Sequence, residues 1–145
     1  SSLERQHQAA RLMDIPAGAA NEGGAWSGGT DRPDWLDDGP PPPMPSEAVL
    51  MGDFNMEPAT PEYEIIAGPA THKYGPAARL GGFADAWIAA GNDPTGGLTK
   101  LAETGDRRID FVFVTTSLAE RIGETRVDDL AQGSDHQPLW VEIDL

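Results

Sequence analysis

The feature that most constrains the fold is a short apolar run that ends in a polar turn. Ala48-Val49-Leu50-Met51 is continuous, of strand length, and follows a Pro-rich stretch. Such a run predicts a strand buried on both faces. It closes on Gly52-Asp53-Phe54-Asn55, where the glycine lets the backbone turn sharply or approach a ligand closely. Asp53 and Asn55 are then expected near the carboxyl end of a strand, where open α/β sheets gather their ligands. A carboxylate and an amide in that place can hold a metal, a water or a phosphoryl oxygen. Asp and Asn are also ordinary turn formers, so the chemistry depends on what else the chain brings to the same spot.

Around this turn the chain reads as mixed α/β. Ser1 and Glu4 have the spacing of a capping box, which predicts a helix over Glu4 to Met13 that Pro16 and Gly18 end. Residues 17 to 46 are rich in Gly and Pro, with Trp26 and Trp35 as large apolar anchors, and read as an inserted surface loop. Thr60-Pro61-Glu62 starts a second helix, with an N-cap and a proline at the first helical position, and Gly68-Pro69 stops it. A third helix is expected over Phe83 to Ala90, closed by Gly91. Leu98 to Leu101 reads as a short strand, and Arg108 to Val114, rich in β-branched and aromatic residues, as the clearest strand of all. Ser117 caps a helical turn closed by Gly123, and Thr125 to Leu130 reads as an edge strand. The last segment alternates, with Leu139, Val141, Ile143 and Leu145 on one face and Trp140, Glu142 and Asp144 on the other.

Composition bounds the function. A chain of 145 residues with 39% hydrophobic residues can bury one core. No apolar run approaches the roughly 18 residues of a membrane-spanning helix, so a soluble protein is expected, its compartment open. The first residues carry no initiator Met and no signal-peptide pattern, which predicts a processed or partial chain. The absence of cysteine excludes disulfide and thiolate-zinc architectures. A net charge of −14 argues against strong non-specific binding of DNA, whose phosphates seek a basic surface.

Polar clusters recur beside the expected strands: Asp53 with Asn55, Asp110, and Asp135 with His136. Asp110 falls within an otherwise apolar strand, where a carboxylate is costly to bury unless paired. Its partner is either Arg107 or Arg108 in an ion pair, or an imidazole whose tautomer it would fix. His136, in a Ser-Asp-His turn before the last strand, is the candidate imidazole. His7 and His72 read as surface residues.

Three segments, Gly52-Asp53-Phe54-Asn55, Arg108-Ile109-Asp110-Phe111-Val112-Phe113 and Ser134-Asp135-His136-Gln137-Pro138-Leu139, resemble the three C-terminal motifs of the endonuclease/exonuclease/phosphatase superfamily, the DNase I-like phosphoesterases. The resemblance covers about residues 48 to 145. It implies half of a four-layer α/β/β/α sandwich, with one mainly antiparallel mixed sheet and helices on one face. It also implies roles: Asp53 orients or deprotonates the attacking water, and Asn55 binds the phosphoryl group and steadies Asp53. Asp53 and Asp135 would serve a divalent site for Mg²⁺, with Mn²⁺ or Ca²⁺ as alternatives. His136, held by Asp110, would stabilise charge on the phosphoryl oxygens.

The family's first half supplies an Asn and a metal-binding Glu that have no counterpart here. The expectation is therefore a partial domain, weak in catalysis alone, whose uncovered sheet face takes the missing half-domain or a second copy. A phosphoester is the expected substrate, and the acidic charge favours a small one over nucleic acid. The competing class is a non-catalytic interaction module that retains the half-fold. An unrelated nucleotide-binding domain would need a Gly-rich phosphate loop after a strand, which is not found.

Overall fold

Ser1 Oγ accepts the Glu4 N–H at 3.3 Å and the Ser1 nitrogen reaches Glu4 Oε2 at 3.4 Å, the two halves of the expected capping box. From it runs α1, Ser2–Glu22, in a computed structural model that describes residues 1–22, 45–71, 75–76 and 82–144. The helix is longer than the sequence predicts, because it continues through Pro16 and Gly18. Pro16 lacks the N–H that would reach the Leu12 carbonyl, so one intrahelical bond is lost. Neighbouring Ala17 and Ala19 favour the helix enough to carry it on. The rest of the Pro- and Gly-rich stretch, with Trp26 and Trp35, lies outside the described residues, as does His72.

The remaining elements are β1 (Val49–Asp53), α2 (Pro61–Ala67), the two-residue strands β2 (Ala70–Thr71) and β3 (Gly75–Pro76), β4 (Phe83–Asp85), α3 (Ala86–Ala89), β5 (Asp110–Thr115), a 3₁₀ helix at Thr116–Arg121, β6 (Ile122–Val127) and β7 (Leu139–Ile143). Among the described residues the strands form three small sheets, β1-β5-β4, β2-β3 and β6-β7, all antiparallel. None of these described residues builds a helix long and apolar enough to cross a membrane.

Phe83–Asp85 is a strand, not the start of a helix. Its residues pair with Phe113 to Thr115 of β5, and that tertiary ladder overrides a sequence that reads as helical. The helix begins only at Ala86, where Asp85 Oδ1 accepts the Trp87 N–H at 3.0 Å as an N-cap, and Gly91 closes it at φ +81° as expected. Leu98 to Leu101 contributes one residue to pairing: Lys100 bridges Arg107 on one side and His136 on the other. Ile122 already pairs with Ile143, so Gly123 lies in β6 and does not close a helical turn. The 3₁₀ helix instead takes Thr115 as its N-cap residue.

Strand β1 is also a correction. It is a sheet edge, and its burial fails on one face: Met51 is 72% exposed and Val49 36%. Only Leu50 packs inward, opposite Phe113. A continuous apolar run looks alike whether both faces are covered or one is bare, which is why the sequence could not tell them apart. On the covered face, Phe111 and Phe113 pack with Ala9 of α1, Tyr63, Ile66 and Ala67 of α2, and Phe83. Phe54 joins them edge-on, its ring 5.2 Å from Phe113 and 6.0 Å from Phe111. Helix α1 is tied to α2 by Arg5 Nε, 2.8 Å from Oε1 of the buried Glu62, with Ser2 Oγ on the other oxygen at 2.9 Å.

A second buried cluster fixes the other end of the sheet. Asp85 Oδ2 accepts from Arg108 Nη1 at 2.7 Å and from the Tyr63 hydroxyl at 2.9 Å. Arg108 lies over the Phe111 ring at 4.9 Å. Arg108 is thereby spoken for, and is not the partner of Asp110.

Candidate functional site

The motif Gly52-Asp53-Phe54-Asn55 works by alternation. Phe54 turns into the aromatic core while its N–H extends the ladder to the Ile109 carbonyl at 2.9 Å, so Asp53 and Asn55 are presented outward on an anchored backbone. Gly52 has φ +145°, a region that side chains other than hydrogen rarely adopt, and Asn55 sits at φ +49° in the left-handed region. Asn55 accepts that conformation because Asp53 braces it: Asp53 Oδ1 takes the Asn55 N–H at 2.8 Å and Oδ2 takes Asn55 Nδ2 at 3.1 Å.

Across the sheet, Asp53 pairs in register with Asp110, the first residue of β5. Asp110 is therefore at a strand end, not inside the strand. Directly opposed residues of an antiparallel pair share a face, with Cβ atoms about 4.5–5.5 Å apart, and like charges so placed repel. Each carboxylate has its own donor to offset this. Asn55 serves Asp53, and His136 Nδ1 stands 2.9 Å from Asp110 Oδ2. A carboxylate can only accept, so Nδ1 carries the proton and Nε2 is the nitrogen left for a ligand. Of the two partners the sequence left open for Asp110, the imidazole is the one in contact.

Asp135 is held differently. Its Oδ2 receives Lys100 Nζ, and that hydrogen bond from the ammonium keeps its carboxyl below the ordinary range. Nothing local to either residue signals this pair, because the two are 35 positions apart and Lys100 lies in a segment without periodicity. Thr99 was also missed. It is fully buried; its Oγ1 accepts the N–H groups of Ile109 (3.3 Å) and Asp110 (3.1 Å), and its carbonyl accepts the Gln137 N–H at 2.6 Å. One threonine thus holds the segment bearing Asp110 against the segment bearing His136.

Five expected site residues, Asp53, Asn55, Asp110, Asp135 and His136, fall along one line of contacts at the edge of the sheet. Beside it opens a cleft of about 380 Å³ lined by Asn55, Thr60, Lys100, Arg107 and His136 among others. A larger groove of about 490 Å³ lies between α1 and β1 and reaches Asp53 from the apolar side. Of the five residues, Asn55 and His136 line the smaller cleft, whereas Asp53 lines the larger groove.

The donors present do not by themselves fit a resident divalent ion. Asp110 is engaged by His136 and Asp135 by Lys100, and Asp53 is left with one carboxylate already braced by Asn55. No group of three or more His, Cys, Asp or Glu among the described residues is arranged to hold a metal. Comparison with known proteins finds no family model, no curated protein and no solved structure that matches this chain.

Proposed function

We propose that these residues form part of a phosphoester-hydrolysing site, within one half of a four-layer α/β/β/α sandwich of the DNase I-like kind. The observation that carries the reading is the 2.9 Å contact of Asp110 with His136 beside the braced Asp53-Asn55 turn. Phosphoryl transfer asks mainly for an oriented water and for donors aimed at oxygen charge. In the proposal Asp53 orients or deprotonates the water. Asn55 contacts the phosphoryl group and keeps Asp53 in place. His136, its tautomer set by Asp110, presents Nε2 to a phosphoryl oxygen.

Asp53 is the carboxylate best placed to meet a divalent cation, Mg²⁺ in first place, and the further donors would come from outside the described residues. The natural source is a companion half-domain, or a second copy, seated on the bare face that carries Val49 and Met51. With a net charge of −14, a small phosphoester suits the chain better than nucleic acid.

The test is hydrolysis of bis(4-nitrophenyl) phosphate with Mg²⁺, measured in the intact polypeptide that carries these residues and in the 145-residue chain alone. The intact polypeptide turns over; Asp53→Ala lowers kcat/KM by about a hundredfold or more, and the chain alone is weak. No turnover in either setting, or full turnover by Asp53→Ala, rejects the proposal. The pairing of Asp135 with Lys100 favours a second reading, a non-catalytic interaction module, which the first of those outcomes would support.

A further inference from the structure

Lys100 pairs with Arg107 on one side and His136 on the other, both antiparallel. Directly opposed residues of antiparallel pairs project to the same face, so Arg107, Lys100 and His136 stand in one row about 5 Å apart. All three line the 380 Å³ cleft, together with Arg5. Three of the ten Lys and Arg, against two of the 24 Asp and Glu, therefore meet at one opening. Glu57 and Glu62 line the same opening, so its bases exceed its acids by one charge, and what can receive an anion is the local pair of Lys100 and Arg107, not the field of the whole cleft.

The row differs in how its charges are used. Arg5 is neutralised by Glu62 at 2.8 Å. Lys100 gives one of its N–H donors to Asp135, and an ammonium has three. Arg107 is exposed and makes no ion pair among the described residues, so its planar fork is open to a bidentate oxyanion. Its backbone is fixed to Lys100 by a reciprocal pair of bonds, the Lys100 N–H to its carbonyl at 2.8 Å and its own N–H to the Lys100 carbonyl at 2.9 Å.

We propose that Lys100 and Arg107 form a subsite for a second, non-reacting phosphate of the substrate, one strand spacing from the phosphoryl group that His136 faces. The substrate class is then a small molecule with two linked phosphates, a diphosphate or a close bisphosphate. This rests on the phosphoester reading above.

The experiment titrates the chain with inorganic phosphate and with pyrophosphate, by calorimetry and by backbone amide shifts. Pyrophosphate binds at least about tenfold more tightly than phosphate, because one added charge-assisted bidentate contact is worth that factor or more. The shifts centre on Lys100 and Arg107. Arg107→Gln cuts the preference to about twofold or less, and Arg126→Gln, whose side chain lies over Trp140 away from the cleft, leaves it in place. Equal affinities, a preference that survives Arg107→Gln, or no binding of either anion overturns the proposal. Preference without Asp53-dependent hydrolysis keeps the subsite and removes the catalytic reading; Asp53-dependent hydrolysis without preference does the reverse.

Discussion

Asp85→Ala is the substitution to which the fold should respond most strongly. Asp85 is 4% exposed and serves three donors: Arg108 Nη1 at 2.7 Å, the Tyr63 hydroxyl at 2.9 Å and the Trp87 N–H at 3.0 Å. Its loss leaves the Arg108 guanidinium buried over the Phe111 ring, with Nε and Nη2 already lacking partners among the described residues. Removing one member of a buried ion pair costs about 3–5 kcal/mol, and the lost helix cap adds about 1 kcal/mol. Set against a total of roughly 5–15 kcal/mol, that is a large share of the stability. At about 3–4 °C per kcal/mol for a domain of this size, Tm should fall by roughly 10–20 °C. Urea unfolding followed by circular dichroism reads the free energy. The double variant Asp85→Leu/Arg108→Met removes both charges and should recover most of the loss, since apolar replacement of a whole buried pair is often near neutral. A loss under about 1 kcal/mol for Asp85→Ala, or a double variant no better than the single one, would show that Arg108 is not held as described.

Further predictions follow from other contacts. Gly97 has φ +70°, and a Cβ there would sit 2.9 Å from the Trp87 ring and 3.1 Å from Arg108 Cδ, so Gly97→Ala should cost about 2–4 kcal/mol in the same unfolding assay. Burial pushes the Glu62 carboxyl up, but its own backbone N–H, Ser2 and Arg5 together outweigh this and hold it below its ordinary value of 4.5. A depressed carboxyl stabilises the fold above its unfolded value, so the attachment of α1 to α2 should persist at neutral pH and weaken as pH falls below 4.5. Glu62→Gln should flatten that acid limb of the Tm profile. Tyr63 is pushed up, first by burial and then by the Asp85 carboxylate. Stability from it is complete below pH 10 and lost above, and Tyr63→Phe should remove that alkaline decline in a pH-dependent melt.

How much of this could be read from the sequence varied with how local the cause was. Helix α2 starts at Pro61 and stops at Gly68 as expected, since proline and glycine act on their own backbone; Thr60 holds the N-cap position, but its hydroxyl donates to the Glu57 carbonyl at 2.8 Å and does not cap the helix. The alternation of β7 is likewise intrinsic, and Trp140 and Glu142 are exposed as expected while Leu139, Val141 and Ile143 are partly covered. Phe83–Asp85 misled because its strand state comes from β5, some 30 residues away, and not from its own propensity. The Asp110–His136 contact could be named as a candidate because Asp110 interrupts an apolar run and His136 lies in a Ser-Asp-His turn just before the last strand. Thr99 and Lys100 could not, and Arg107 was legible only as a possible ion-pair partner of Asp110, since a buried threonine hub and a row of bases arise only when separate segments are laid side by side.

In the proposed site Asp110 acts through His136 beside Asp53. The decisive measurement is kcat/KM for bis(4-nitrophenyl) phosphate in the intact polypeptide, for Asp110→Ala, His136→Ala and the double variant. Groups that act as one unit are strongly non-additive. Each single variant should lose about a hundredfold or more, and the double variant should lose little beyond His136→Ala. Full activity in both single variants, or losses that multiply in the double, would contradict it.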